Sequence, residues 1–218
     1  MFDPTGWLMG IDAYAIPIET VPRIAAWRGP QGERISFVQS YLKTLNLDTV
    51  DALLAAGISV GMIWETVADR ALEGLQAGQE DGQRAVAMAM ALQAPATAAI
   101  CFAVDVAADQ DVLPQIEDYF AGADGELEGH FQISGYADGV TLSDLRKHNL
   151  PLCWLSGARG WPGYEDFLQN QKPDMVQGAT MTRGGIWMSR TWPDLGLSFD
   201  PNIARPDYPG FIPAKAVV

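Results

Sequence analysis

Three carboxyl residues, Asp12, Glu65 and Asp105, each close an apolar run: "LMGID", "GMIWE" and "CFAVD". A carboxyl so placed can pass a proton to a leaving oxygen or stabilise positive charge at a reacting carbon. At the ends of other apolar runs stand Tyr14, Tyr41, Tyr136, Trp154, Gln177 and Asp200. Aromatic faces stack on pyranose C–H groups, and an amide hydrogen-bonds hydroxyl or N-acetyl groups. The mixture fits a sugar. It makes Asp12, Glu65 and Asp105 the catalytic candidates. Tyr14, Tyr41, Tyr136, Trp154, Gln177 and Asp200 are then the substrate-binding candidates.

Each residue also has a plain structural reading. Asp12 and Asp105 are suited to capping a following helix. Glu65 reads equally as the first solvated residue past a buried strand. Tyr136 and Trp154 fit a core or a rim. Asp200 precedes Pro201, which keeps it extended, so a strand terminus accounts for it. The functional reading rests on their shared phase, because scattered surface polarity would not fall repeatedly at strand ends.

The elements that must position them follow from periodicity. Strand-like runs cover 11–15, 35–42, 58–65, 99–105, 131–137, 152–156, 175–179 and 197–200. Helical patterns lie between them, at 18–27, from a cap at Asp48 to Gly57, and at 78–93, 109–120 and 142–148. In the third of these, Val86, Met90 and Leu92 are the expected core positions. Such alternation predicts parallel strands joined by crossover helices. Eight strands predict a closed α/β fold, a single TIM-like (β/α) barrel whose active face lies at the C-terminal strand ends. Residues 182–193, with two consecutive glycines, read as a hairpin or loop, so the final crossover is irregular and the barrel imperfect. The barrel is assigned to 1–203 and a Pro-rich tail to 204–218.

Composition limits the partners. The 27 acidic and 14 basic residues leave a net charge of −13, which repels phosphate backbones and anionic membranes. No nucleic-acid partner and no membrane insertion are expected, since no apolar run approaches about 18 residues. The first residues lack the basic start of a signal peptide, so the expected location is cytoplasmic until release, or particle-associated. Cys101 and Cys153 sit in apolar runs and read as buried free thiols. Neither His130 nor His148 has zinc-ligand spacing to them, and no Gly-x-Gly-x-x-Gly follows the first strand. No metal and no cofactor are expected.

An ordered series of motifs adds a family. "GIDAY", "ISFVQSYL", "AAGISVGMIWE" and "ICFAVD" are followed by "ISGYADG", "LCWLSG", "MVQGA" and "FDPN". The series, spanning roughly 9–203, resembles the glycoside-hydrolase-like domain family (DUF1906), a TIM-barrel relative of the family 25 lysozymes. The resemblance implies the barrel, a pocket at its mouth and a cell-wall glycan, peptidoglycan, as substrate. In the lysozyme relatives the fourth strand ends in Asp-x-Glu, whose glutamate is the proposed general acid. The matching triplet here is Asp105-Val106-Ala107, and alanine transfers no proton. The resemblance therefore leaves catalysis open and makes Glu65, beside Trp64, the replacement acid. Asp12, Asp105 and Asp200 match strand-end acids of the pattern.

Three functional expectations follow. One is a muramidase-like glycosidase, for instance a phage endolysin or virion-associated hydrolase. Another is a binding module with a degenerate site. The last is a structural component of a phage tail or related particle, contacting neighbours through Trp187, Trp192 and Phe211 and the C-terminal tail.

Overall fold

The computed structural model describes residues 2–29, 32–178, 180–182, 185–187 and 195–214, with only the backbone at 180–182 and 185–187. Seven strands run parallel in chain order: β1 (Leu8–Ala13), β2 (Ile35–Tyr41), β3 (Ser59–Trp64), β4 (Ala99–Ala103), β5 (Gln132–Ala137), β6 (Leu152–Leu155) and β7 (Met175–Gln177). A hairpin, β8 (Thr180–Thr182) with β9 (Gly185–Trp187), precedes β10 (Asp200–Ala204). β10 closes the barrel between β7 and β1.

The helices are α1 (Val21–Ala26), α2 (Leu47–Ala55), α3 (Leu75–Ala91), α4 (Leu113–Leu127), α5 (Gly139–Lys147) and a short α6 (Tyr164–Asp166) continued by one π turn. They cover the outside, so the strands are buried on both faces and read as continuous apolar runs. In β4, Ile100 and Phe102 join the outer core, whereas Ala99, Cys101 and Ala103 line the interior. β6 sends Trp154 inward and Cys153 outward. The two cysteines thus lie on opposite faces of the barrel wall as buried free thiols, and burial pushes both up to about 12.

The last strand departs from expectation in place and direction. It spans Asp200–Ala204 rather than 197–200 and runs antiparallel to both neighbours. No helix lies among the described residues between β7 and β10, whereas helices join the parallel strands before them. The register sets Asp12 opposite Asp200, at the mouth. β10 therefore starts at the mouth and delivers the chain to the opposite, apolar end.

There residues 205–214 fold back as a floor. Phe211 stacks on Phe37 with ring centroids 4.7 Å apart, Ile212 pairs with Val60, and the Gly210 carbonyl accepts the Ala99 N–H. Gly10 is required here, because a Cβ at that position would collide with the Phe37 ring. Phe211 is thus buried by packing within its own barrel rather than presented to a neighbour. Trp192 and the Trp187 side chain lie outside the described residues.

Two local expectations are also corrected. Asn46, not Asp48, caps α2: it is extended, and its side chain accepts the Thr49 N–H. Met90 is exposed, while Val86 and Leu92 are buried. The reason is that α3 meets α4 through small residues. A Cβ at Gly78 would strike the Tyr119 carbonyl, and the buried face runs on through Gly82, Ala85, Val86 and Ala89, from which Met90 is turned away by about 100°.

Candidate functional site

The mouth holds a cavity of about 270 Å³ lined by Asp12, Tyr41, Glu65, Asp105, Tyr136, Trp154, Gln177 and Asp200, with Ile63 and Ala103 beneath them. Eight of the nine candidates from the sequence thus line one cavity. The ninth, Tyr14, lies on its rim: the residue is 60% exposed, with its ring 5.3 Å from that of Tyr41. Alternation on the strands explains the convergence, since residues two apart share a face. Ile63 and Glu65 point inward; Trp64 points into the outer core, under the Arg84 guanidinium. The neighbour of Glu65 is consequently Tyr41 rather than Trp64.

Asp12 does not cap a helix. Its Oδ1 accepts from Asn202 Nδ2 at 2.6 Å and from Gln177 Nε2 at 3.1 Å. Asn202 Oδ1 in turn accepts the Trp154 indole N–H at 3.0 Å. Gln177 Oε1 lies 2.8 Å from the Tyr136 hydroxyl and accepts the Gly157 N–H at 3.3 Å. The Tyr136 hydroxyl also lies 3.0 Å from Ser156 Oγ and 3.5 Å from Asp105 Oδ1. One continuous network therefore joins β1, β10, β6, β7 and β5 below the mouth. Such a network fixes the rotamers of the groups above it.

The electrostatics differ among the acids. Burial raises Asp12 to about 7, against the Asn202 hydrogen bond and with help from the charges of Asp200 and Asp105. Glu65 is also raised, chiefly by burial. Two contacts pull it the other way: its Oε2 accepts the Tyr41 hydroxyl at 3.0 Å, and Lys43 lies nearby. Asp200 is raised by burial and by Asp105. A carboxyl kept protonated near neutrality beside another carboxylate can serve as a general acid. Asp105 is exposed at the mouth and caps no helix; its own N–H bonds the Ala68 carbonyl. The cap of α5 is Asp138, which accepts from Thr141 N and, with its other oxygen, from Ala108 N. Asp138 so ties the loop after Asp105 to the barrel wall.

Sequence reasoning missed Asn202, Ser156 and Lys43. Asn202 was within reach of it, because it follows Asp200 by two positions on one strand. Its inward aim becomes visible only once β10 starts at Asp200. Away from the mouth, ligand atoms of Glu117, Asp144 and His148 lie within 4.8 Å of one another. Lys147 Nζ sits 3.2 Å from Asp144, and His148 Nδ1 lies 3.5 Å from Glu117, so the group is a surface ion-pair cluster. No described helix is long and apolar enough to cross a membrane.

No curated protein sequence matches the chain. Among solved structures, the Mycobacterium tuberculosis Tat-secreted protein Rv2525c, in complex with HEPES, is similar with a TM-score of 0.67 and 18% identity, over 95% of this chain and 98% of that one. The catalytic domain of endolysin ply40 from bacteriophage P40 of Listeria monocytogenes has a TM-score of 0.51 and 14% identity, over 92% of this chain and 94% of that one. The modular autolysin LytC of Streptococcus pneumoniae, solved with a synthetic peptidoglycan ligand, has a TM-score of 0.51 and 12% identity, over 91% of this chain and 46% of that one. At these identities the likeness concerns the fold. A family model described as "Rv2525c-like, glycoside hydrolase-like domain" matches residues 30–189. The chain therefore belongs to the Rv2525c-like family of glycoside hydrolase-like domains.

Proposed function

We propose that the protein acts on bacterial cell-wall glycan at the barrel mouth, with Glu65 as the proton donor and Asp105 as the carboxylate that faces the reacting sugar. The observation that carries this reading is the meeting of Glu65 and Asp105 in one cavity walled by Tyr41, Tyr136, Trp154 and Gln177. Membership of a glycoside-hydrolase-like family supports a glycan over other small ligands. The peptidoglycan ligand of LytC, which shares the fold, supports a wall glycan among these.

The chemistry uses groups already described. Glu65, whose burial favours its protonated form, gives its proton to the glycosidic oxygen as the bond to the anomeric carbon breaks. Positive charge then develops on the ring. Asp105 stabilises it directly, or orients the substrate's acetamido oxygen to do so. Water adds to the anomeric carbon and its proton passes to the Glu65 carboxylate, restoring the acid. Asp12, held by Asn202 and Gln177, is linked through Gln177 and the Tyr136 hydroxyl to Asp105.

Purified cell walls should lose turbidity and gain reducing ends with the wild-type protein, and Glu65→Gln should abolish both. Undiminished lysis by that variant would remove Glu65 from the chemistry. A second reading, a glycan-binding module, is favoured by Ala107, which stands where the lysozyme relatives have their acid. Retention on walls with no reducing ends released, by wild type and variant alike, selects it. Either role requires the protein to reach the wall, by export, lysis or delivery in a particle. The C-terminal segment packs on its own barrel as far as Ala214.

A further inference from the structure

Beside the cavity lies a feature that the proposed chemistry uses only at its Tyr41 edge. Tyr14 follows β1, Tyr41 ends β2, and Lys43 lies in the turn after β2. The Lys43 ammonium sits 5.2 Å from the Tyr14 ring centroid and 5.4 Å from that of Tyr41. It donates to the Glu65 carbonyl at 3.0 Å. An ammonium has three donors, and Lys43 is exposed, so it can still meet a ligand. The platform is held from behind. The Thr44 hydroxyl lies within reach of both the Tyr14 and Tyr41 carbonyls and shares its proton between them, and Ser40 Oγ donates to the Ala13 carbonyl at 2.9 Å. An exposed aromatic on a tethered backbone offers a stacking face at little cost in ordering.

Charge then fixes what such a platform accepts. Among the described residues the cavity is lined by four carboxyl residues and by no lysine, arginine or histidine. An anionic group on a ligand is repelled there, and the net charge of −13 repels it at longer range. Lys43 places a positive charge beside Glu65, whose carboxyl it pulls down.

The geometry points to a second sugar subsite outside the cavity, in which Tyr14 stacks on a pyranose and Lys43 pairs with a carboxylate carried by that sugar or by a peptide attached to it. This rests on the glycan reading above and adds direction to it. The ligand lies with its acidic substituent over the β1–β2 edge and its neutral sugar in the cavity.

The test uses the full chain with Glu65→Gln as background, so that no ligand is cleaved. Four probes are titrated by calorimetry: chitotetraose, a tetrasaccharide of alternating N-acetylglucosamine and N-acetylmuramic acid, its methyl ester, and the same glycan with an acidic peptide on the lactyl group. The free acid or the peptide-bearing form should bind about three- to fivefold tighter than the ester, as one exposed ion pair allows. The probe with the larger preference identifies the source of the carboxylate. Lys43→Met should erase that preference and leave ester binding unchanged, Lys43→Arg should keep it, and raising salt from about 0.05 to about 0.5 M, which cuts the screening length to about a third, should weaken it. Tyr14→Ala should weaken all tetrasaccharides alike. Equal affinity for ester and charged forms, or equal weakening of both by Lys43→Met, overturns the subsite while the glycan reading stands. Binding of none of the four probes overturns the glycan reading itself.

Discussion

The two ends of this barrel are built from the same strands and obey opposite rules. The floor is closed by Tyr208, Phe211 and Ile212, all buried, with Phe211 against Phe37. The mouth is left open over Asp12, Glu65, Asp105 and Asp200, with burial raising three of these acids. One end stabilises the fold by removing apolar surface from water. The other holds carboxyls close together where their charges repel, and relies on a hydrogen-bonded network to keep them there. In barrels of this kind the C-terminal strand ends carry the chemistry and the opposite ends carry stability. Here the division is sharpened by β10, which runs from one end to the other and contributes to both.

Removing the floor should have the largest effect. Phe211→Ala empties a stacked position and is expected to cost about 3–5 kcal/mol in urea unfolding. The Tyr208 ring lies 4.6 Å from that of Phe211, and burial raises its hydroxyl further above its ordinary value, so it stays protonated and the loss should be the same at pH 5 and pH 8. A strong pH dependence of that loss would show that the ends are energetically coupled.

The mouth should behave in the opposite way. A folded-state value of about 7 for Asp12, above its ordinary 3.8, means that the folded protein binds the proton more tightly than the unfolded chain. Its contribution is then fully present below about pH 4 and is lost as pH rises through 7. Glu65 and Asp200, also raised, act with the same sign. Asp12→Asn keeps an acceptor for Asn202 and removes the charge. It should flatten the fall in stability between pH 4 and 7, raising stability at pH 8 by on the order of 4 kcal/mol. A slope unchanged from wild type would place the titration elsewhere.

Asn202→Ala comes next. It strips the indole N–H of Trp154 and the carboxyl of Asp12 of a partner, at a cost of about 1–3 kcal/mol. Because the Asn202 hydrogen bond holds Asp12 down, the pH slope should also move upward. Loss of stability with an unmoved slope would separate Asn202 from Asp12. Tyr14→Ala is the smallest in stability, within about 0.5 kcal/mol, since the ring is largely exposed. A larger loss would make Tyr14 part of the fold rather than of the rim.

How much of this was readable in the chain depends on the element. Seven strands and their phase were legible, because runs such as "AICFA" are buried on both faces and announce themselves. The acids and aromatics ending those runs were legible for the same reason, and all but Tyr14 line the cavity. The eighth strand was misplaced by a few residues. "DPNIA" opens with an aspartate and a proline and has only two strongly apolar positions, so periodicity could not locate it. Its direction was not legible at all, since local pattern carries no information on whether a strand runs with or against its neighbours. Lys43 was unreadable for a different reason. A lysine two residues past a strand looks like solvated surface until the turn folds it over two tyrosine rings.

The sequence by itself determined the alternation of elements, the identity of the strand-end acids and aromatics, and the strongly negative charge. Those are local or additive properties, carried by residue type and spacing. Tertiary structure alone decided that β10 turns back to put Asn202 under Asp12, that Phe211 closes the floor, and that Lys43 faces the rim of an otherwise acidic mouth. Each of these depends on contacts between residues far apart in the chain, whose energies exist only once the barrel has closed.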